Sequence, residues 1–515
     1  MGSDNTTHLS PGLGGIGPMR MPKVLGAVDS AAIAMSSTAP TMSIGIGLGV
    51  IGAVVGPAIA GILLVALLPI LGVALAYSRL NHVERNCGNG YVWVGRSLGP
   101  WLGFQAGWVA VAGTTIFLAY GSQVCGSVIL QFCNEIGWTS IGSLTLDPLS
   151  TPSTTVVGLV VLLTASLAAI RGADLAAAIQ RYLIIFEYVV LIGFCVYAIA
   201  VGPHPFEWGW LSPLSVESPK VLAAGVVVAV YFYWGWDAAF CVTEETHGPR
   251  DASRGGFLAL GLIAAMFVLA AIAFQRVLTP AEIVEQGPQG LTYFASRLAH
   301  EPIAGLALLA LLFSTVASLQ AGVLPTARAT LAMGRDQTLG RVWARLHPRY
   351  ATPAAGTLLI MGSAALIAAL SVTIGTLSTI VGAAVSSVGL LVSLYYGLGG
   401  LACAVRFRSD LTSNPRAAVR SVVIPAVSAL TLFGLGGYLA EQYWVQDAEF
   451  AFDPANGKFL VAVPAGIIIL GLLISAWSKW GRRAPYFHGA RATDSDETVL
   501  LAADGERGAS PAPGI

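Results

Sequence analysis

Of the 515 residues, 55% are apolar and only 10% charged, against the quarter or so usual for a soluble globular chain, so an ordinary water-soluble domain is excluded. The formal net charge is zero, which offers no bulk attraction to nucleic acid. The mean hydropathy is positive, and the solvent of this chain is a lipid bilayer.

Apolar runs of about 20 residues, enough to cross a hydrocarbon core of about 30 Å, recur from Val24 to Trp480. They predict twelve membrane helices, at 24–50, 55–78, 101–130, 154–170, 175–200, 220–243, 256–277, 303–326, 353–371, 376–404, 419–440 and 459–478. The first 22 residues lack the apolar core of a signal peptide and read as a loose cytoplasmic tail. The segment 481–515 reads as a second, disordered tail. With the N-terminus inside, all but four of the 27 Lys and Arg residues fall on the cytoplasmic side; the exceptions are Lys220, Arg276, Arg297 and Lys458. Adding or dropping one span would scramble that split, so both termini are expected in the cytoplasm and the chain in the cytoplasmic membrane.

The first five spans, within 23–200, and the next five, within 219–405, have nearly equal lengths. Five is odd, so the two halves must run in opposite senses. Helices eleven and twelve, within 416–480, fall outside this inverted repeat. The first span is interrupted at Ser36–Pro40, "SSTAP", where proline withholds a backbone donor and hydroxyls compete for carbonyls. The sixth is interrupted at a matching depth by "WGWD", Trp234 to Asp237. Paired breaks in inverted halves are the pattern of a secondary transporter's midplane site.

Other chemistries find little support. The six cysteines form no CxxC pair and no histidine lies within an apolar run, so neither a metal site nor a cofactor is implied. No Walker A, HExxH or GxSxG motif occurs. A channel filter needs rings repeated around several subunits. A transporter-like nutrient receptor, the alternative from a different class, would be expected to carry a large soluble domain or a long tail.

Three stretches carry a family resemblance. "CGNGYVWVGRSLGPWLGFQAGW" (Cys87 to Trp108) is similar to the approach to the third span in amino acid–polyamine–organocation (APC) superfamily permeases. "GWDAAFCVTEETHGPRDASRG" (Gly235 to Gly255) resembles the exit of their sixth span, and "ARATLAMGRDQTLGRVWARLHPRYATP" (Ala327 to Pro353) the loop between spans eight and nine. The resemblance implies ten core helices in two inverted repeats plus two peripheral ones, and import or exchange of amino acids or amines by alternating access. It further implies that amides at the first break, at Ser36, Ser37, Thr38, Ala39 and Thr41, hold a substrate carboxylate at a positive helix end. The family's glycine-rich break is replaced here by "SST" before "AP". Carbonyls of Tyr231, Phe232, Tyr233 and Trp234 and the loosened backbone at Gly235 would face the ammonium group. The rings of Phe232, Tyr233, Trp234 or Trp236 would close over it by cation–π attraction, or else pack against neighbouring helices.

Asp237 is the sharpest residue, because an acid at the centre of a membrane helix costs roughly 2.5–3.5 kcal/mol and therefore has a partner or a task. It reads as a proton-handling or coupling group, or as a cap for loose amides at the break. An amine or polyamine permease using Asp237 as its cation site is the alternative to an amino acid permease. Glu187 reads first as an acid that snorkels to the cytoplasm or pairs with a neighbour, and second as a coupling group. Ser314, Thr315 and Ser318 are a candidate sodium site, although such hydroxyls often bond only their own helix. Thr114 and Ser386 are candidate lining residues. Asp29 is expected to cap the first span or pair with an arginine. Glu244 and Glu245, near Arg250 and Arg254, read as a solvated charged turn before a gating network.

Overall fold

The computed structural model describes residues 21–488 except 142–143 and 287–288; the two expected tails lie almost wholly outside them. The architecture is all-helical apart from a short hairpin, β1 (Ser140–Ile141) against β2 (Leu144–Thr145). The first half of the chain forms α1 (Ala27–Thr38), α2 (Pro40–Val55), α3 (Ile59–Val83), α4 (Gly90–Leu98), α5 (Pro100–Glu135), α6 (Thr151–Arg171) and α7 (Ala173–Val201). After a connector come α8 (Pro219–Phe232), α9 (Ala238–Cys241), α10 (Asp251–Val277), α11 (Pro280–Gln286), α12 (Gly290–Leu298) and α13 (Gly305–Arg335). The chain continues through α14 (Ala354–Ser371), α15 (Leu377–Arg406), α16 (Asp410–Ser413), α17 (Pro415–Ala418), α18 (Ile424–Gln446) and α19 (Gly457–Ala476).

Among the described residues, ten helices are long and apolar enough to cross a membrane, or eleven if the bent pair Ala27–Gly45 and Gly47–Val55, which runs over α1 and α2, is one span. α8 is apolar but shorter. Helices α3, α5 and α13 are the most enclosed, whereas α6, α7, α14, α18 and α19 turn most of their surface outward. That outward surface is leucine- and valine-rich, as lipid contact requires. α5 and α6 cross at small residues: a Cβ on Gly126 would lie 1.9 Å from the Thr154 carbonyl oxygen, and one on Gly158 1.9 Å from that of Ser122. Such backbone approach is how membrane helices gain dispersion contact without a hydrophobic drive between them.

Of the boundaries that differ from the sequence expectation, three bear on the site. The eighth span does not stop at 326: its helix runs on to Arg335, so Arg328 and Arg335 stand on α13 rather than in a loop. Strong helix formers continue the helix there, and the inward-facing Arg328 finds an acid, described below. The expected 220–243 helix ends at Phe232, with turn backbone over Tyr233–Asp237 before the single turn of α9. At the first break Ser36–Thr38 still belong to α1; Ala39 alone leaves the helix, with φ 49° and ψ 64°, and Pro40 starts α2. Proline's fixed φ and missing N–H suit that first position.

Candidate functional site

The two breaks touch. Gly235 has φ 115°, and a Cβ there would fall 2.7 Å from the carbonyl carbon of Ser37 and 2.9 Å from the amide nitrogen of Thr38. Only glycine combines that conformation with that approach. Beside the contact lies a cavity of about 90 Å³. Ser37, Thr38 and Ala39 line it from the first break, and Tyr231, Phe232, Trp234, Gly235 and Asp237 from the second. Thr114 and Phe117 of α5, Gly322 and Thr326 of α13, and Val381 and Val385 of α15 are among its other walls.

The start of α2 is already occupied by the protein's own side chains. Pro40 has no N–H to offer. The Thr41 amide donates to Glu187 Oε1 at 2.7 Å, and the Thr41 hydroxyl donates to the same oxygen at 2.5 Å. The Met42 amide donates to Ser314 Oγ at 3.4 Å, and the Ser43 amide to the Ala39 carbonyl at 2.8 Å. The Ala39 amide closes on Ser36 at 3.1 Å, while Ser37 and Thr38 lie within the last turn of α1. The expectation of free amides at Ser36, Ser37, Thr38, Ala39 and Thr41 is therefore corrected for this conformation: a carboxylate sits there, and it is Glu187. The snorkelling reading of Glu187 falls too, since its side chain is fully buried. Its second oxygen has no partner among the described residues, as is true of Ser36 Oγ.

The aromatic run divides in two. Tyr231, Phe232 and Trp234 face the cavity, where Phe117 meets Trp234 edge-on at 6.3 Å. The hydroxyls of Tyr120 and Tyr231 meet across one side of it. Tyr233 points away, donating to the Leu63 carbonyl at 3.1 Å and packing on Phe267. Trp236 is fully buried among Tyr77, Phe240 and Tyr396. Both rings thus take the packing role, because the turn after Phe232 throws adjacent side chains to opposite sides.

Asp237 opens onto the cavity, but its carboxylate does not cap α9. Instead Tyr396 donates to Oδ1 at 2.8 Å and Tyr395 to Oδ2 at 2.9 Å. These two tyrosines of α15 escaped sequence reasoning; their one signal was an adjacent polar-tipped pair inside an apolar run. Thr114 lines the cavity while its hydroxyl bonds the Ala110 carbonyl at 2.9 Å. Ser386 lies away from it, in a separate pocket with Tyr443. The Thr315 and Ser318 hydroxyls donate to Leu312 and Thr315 carbonyls of their own helix, both at 2.9 Å, leaving Ser314 facing the first break. Among the described residues no cluster of three His, Cys, Asp or Glu side chains could hold a metal.

At the arginine-rich end of the cavity, the expected solvated turn is a buried network. Glu245 pairs with Arg328 through two contacts, and the two side chains are 2% and 1% exposed. Glu244 takes Arg335 at 3.0 Å and the Cys87 amide at 2.8 Å. The partners lie on α13, not at Arg250 and Arg254. The Glu245 carbonyl accepts the amides of Val24 and Leu25 at 2.9 and 3.0 Å, and His247 donates back to Leu25 at 2.9 Å. Asp29 does both things expected of it, accepting the Gly26 amide at 2.9 Å and pairing with Arg181 at 3.1 Å. Tyr91, which lines the cavity, donates to Asp336 at 2.7 Å and stacks on Tyr486 at 5.0 Å. Burial pushes the Asp336 carboxyl up to about 6.

Comparison with known proteins follows the same lines. A family model described as "Amino acid permease" matches residues 25–445. An uncharacterised transporter of Mycobacterium tuberculosis is 28% identical over 505 residues, 93% of this chain and 96% of the relative. The branched-chain amino acid permease BcaP of Lactococcus lactis is 23% identical over 398 residues, 74% of this chain and 81% of the relative. The low-affinity putrescine importer PlaP of Escherichia coli is 24% identical over 319 residues, 59% of this chain and 65% of the relative. With one match running through every helix that walls the cavity, the chain belongs to the amino acid permease family and is a multi-pass membrane protein of the APC type.

Proposed function

We propose that this protein is a secondary transporter that moves an amino acid with a neutral side chain across the cytoplasmic membrane by alternating access. In this reading α1–α2 and α8–α9 are each one interrupted span, twelve spans in all, with inverted repeats over 23–200 and 219–405 and both termini cytoplasmic. The observation that carries it is the backbone contact of Gly235 with Ser37 and Thr38 beside a small internal cavity. Irregular backbone at that depth is tolerated where it faces protein or a wet cavity.

The walls favour a neutral substrate. Among the described residues no backbone N–H donates to the carbonyls of Phe232, Tyr233 or Trp234, which leaves acceptors for an ammonium group. Phe117, Phe232, Trp234, Val381 and Val385 give its side chain an apolar enclosure, and no cationic group lines the cavity among the described residues. BcaP, a relative named for branched-chain amino acids, agrees with this chemistry. A second reading, an amine permease, is favoured by the occupied amides at α2: an amine without a carboxylate needs only the carbonyls. The relative named as a putrescine importer is consistent with it.

The coupling group in this proposal is Glu187. It faces Thr41, Ser314 and Tyr188, and its carboxylate ties α2 to α7 next to the Ala39 hinge. Sodium at Ser314, Thr315 and Ser318 is the alternative coupling site: the Thr315 and Ser318 hydroxyls donate to their own helix, which leaves their oxygen lone pairs for a cation. The test is uptake of labelled leucine, arginine and putrescine into proteoliposomes, with proton and sodium gradients imposed separately. Leucine accumulation driven by the proton gradient is the expected result. Putrescine uptake alone transfers the assignment to the second reading, and transport of none of the three overturns both.

A further inference from the structure

A second and larger cleft lies on the arginine-rich face, apart from the central cavity. It opens between the end of α3, the start of α10 and the approach to α18, with a cavity volume of about 1280 Å³. Arg79, Arg250, Arg254, Arg416 and Arg420 line it together with His82, and no Asp or Glu is among its described lining residues. Arg79 has a long ion pair to Asp410 at 3.8 Å, and Asp410 also accepts from Ser421 at 2.6 Å. Arg250, Arg254, Arg416 and Arg420 are exposed and make no ion pair among the described residues.

Like charges gathered around one hollow repel, and a counter-charge from outside the chain would relieve them. The membrane side of the hollow is apolar. Leu75, Phe257 and Val419 line it, and one turn beyond Val419 the side chain of Val423 is exposed. The wall that carries these valines is a π-helical turn, Val419–Val423, a departure from regular helix that is common at functional sites. An occupant must therefore be anionic at one end and apolar at the other. On the positive-inside reading this face meets the inner leaflet, whose anionic lipids are drawn to basic pockets between membrane helices.

We propose that this cleft holds the phosphate headgroup of an anionic phospholipid, with its acyl chains lying along the apolar surface at Val419 and Val423. A free phosphate would use the arginines but not that surface. Because α10 packs on α1 and α3 while α18 packs on α3 and α15, a lipid seated there bridges the helix beside the first break to the peripheral pair.

The experiment is native mass spectrometry of the full chain, titrated with dioleoylphosphatidylglycerol, with dioleoylphosphatidylcholine and with glycerol 3-phosphate. Phosphatidylglycerol should bind at least about tenfold more tightly than phosphatidylcholine, and R250Q/R254Q and R416Q/R420Q should each lower its affinity about tenfold. R341Q/R345Q changes two exposed arginines of the same face outside the cleft and should leave binding unchanged. Equal binding of the two lipids, or an equal loss in R341Q/R345Q, overturns the proposal. Displacement of the lipid by millimolar glycerol 3-phosphate overturns it in favour of a free-anion site. Should either cleft variant unfold, the wild-type protein still decides: the lipid preference must fade towards about 0.5 M salt, and a salt-insensitive preference sinks the idea.

Discussion

Glu187 holds the amide and the hydroxyl of Thr41 with a single carboxylate oxygen, across 146 residues of sequence. The negative group is thus bound at the positive end of α2, one residue past the proline that starts it. Glu187→Gln keeps a carbonyl acceptor for Thr41 but removes the titratable group. Accumulation driven by a proton gradient should collapse in this variant, while counterflow exchange stays within about threefold of wild type. Wild-type accumulation in E187Q removes Glu187 from the coupling step.

Asp237 gives a way to separate packing from binding. Tyr395 lines the cavity and Tyr396 is fully buried, although both donate to the same carboxylate. Tyr396→Phe should lower thermal stability by about 1–2 kcal/mol, the cost of an orphaned buried acceptor, with little change in KM. Tyr395→Phe should raise the KM of uptake about threefold to tenfold. Identical behaviour of the two variants in melting and uptake assays would refute the division.

Gly235 predicts a steric effect with a built-in control. Alanine there meets both an unfavourable φ and the Ser37 backbone at 2.7 Å, so G235A should cut uptake at least about tenfold and lower the melting temperature. A Cβ on Gly193 meets nothing within 4 Å, and G193A should transport like wild type. Robust uptake by G235A would show that the two breaks separate without cost.

Much of this site was legible as position but not as partnership. The breaks at Ser36–Pro40 and Trp234–Asp237 stand out because proline, glycine and an acid interrupt apolar runs. Which rings among Phe232, Tyr233, Trp234 and Trp236 face the cavity did not, since a turn has no fixed period to project. Glu187 read as an acid that snorkels or pairs with a neighbour, and sequence could not name the neighbour because Thr41 sits in another helix. Arg328 looked like a loop residue because its burial depends on the distant Glu245. Spans and breaks are local in sequence; donors and acceptors are paired by packing.

The Glu245–Arg328 pair should be asymmetric to mutation. Removing one partner strands a buried charge, and E245A or R328A should destabilise the protein by about 3–5 kcal/mol in denaturant or thermal melts. Replacing both by methionine should recover most of that loss. A double variant as unstable as the sum of the two singles would contradict the account.

Asp336 supplies a pH test. Its folded carboxyl titrates near 6, above the ordinary 3.8, so the native state binds the proton more tightly than the unfolded chain does. Its contribution to stability is therefore greatest below about pH 4 and is lost as pH rises towards 6, by at most on the order of 3 kcal/mol. Asp336→Asn should flatten that part of the pH–melting profile relative to wild type. An unchanged slope between pH 4 and 6 assigns the titration elsewhere.

The backbone clasp in which Val24 and Leu25 hang from Glu245, and His247 from Leu25, has a mechanical consequence. It yokes the root of the first interrupted helix to the foot of the sixth. In the alternating-access reading proposed above, the two would therefore swing as one leaf, and a solute would leave on that side when both move.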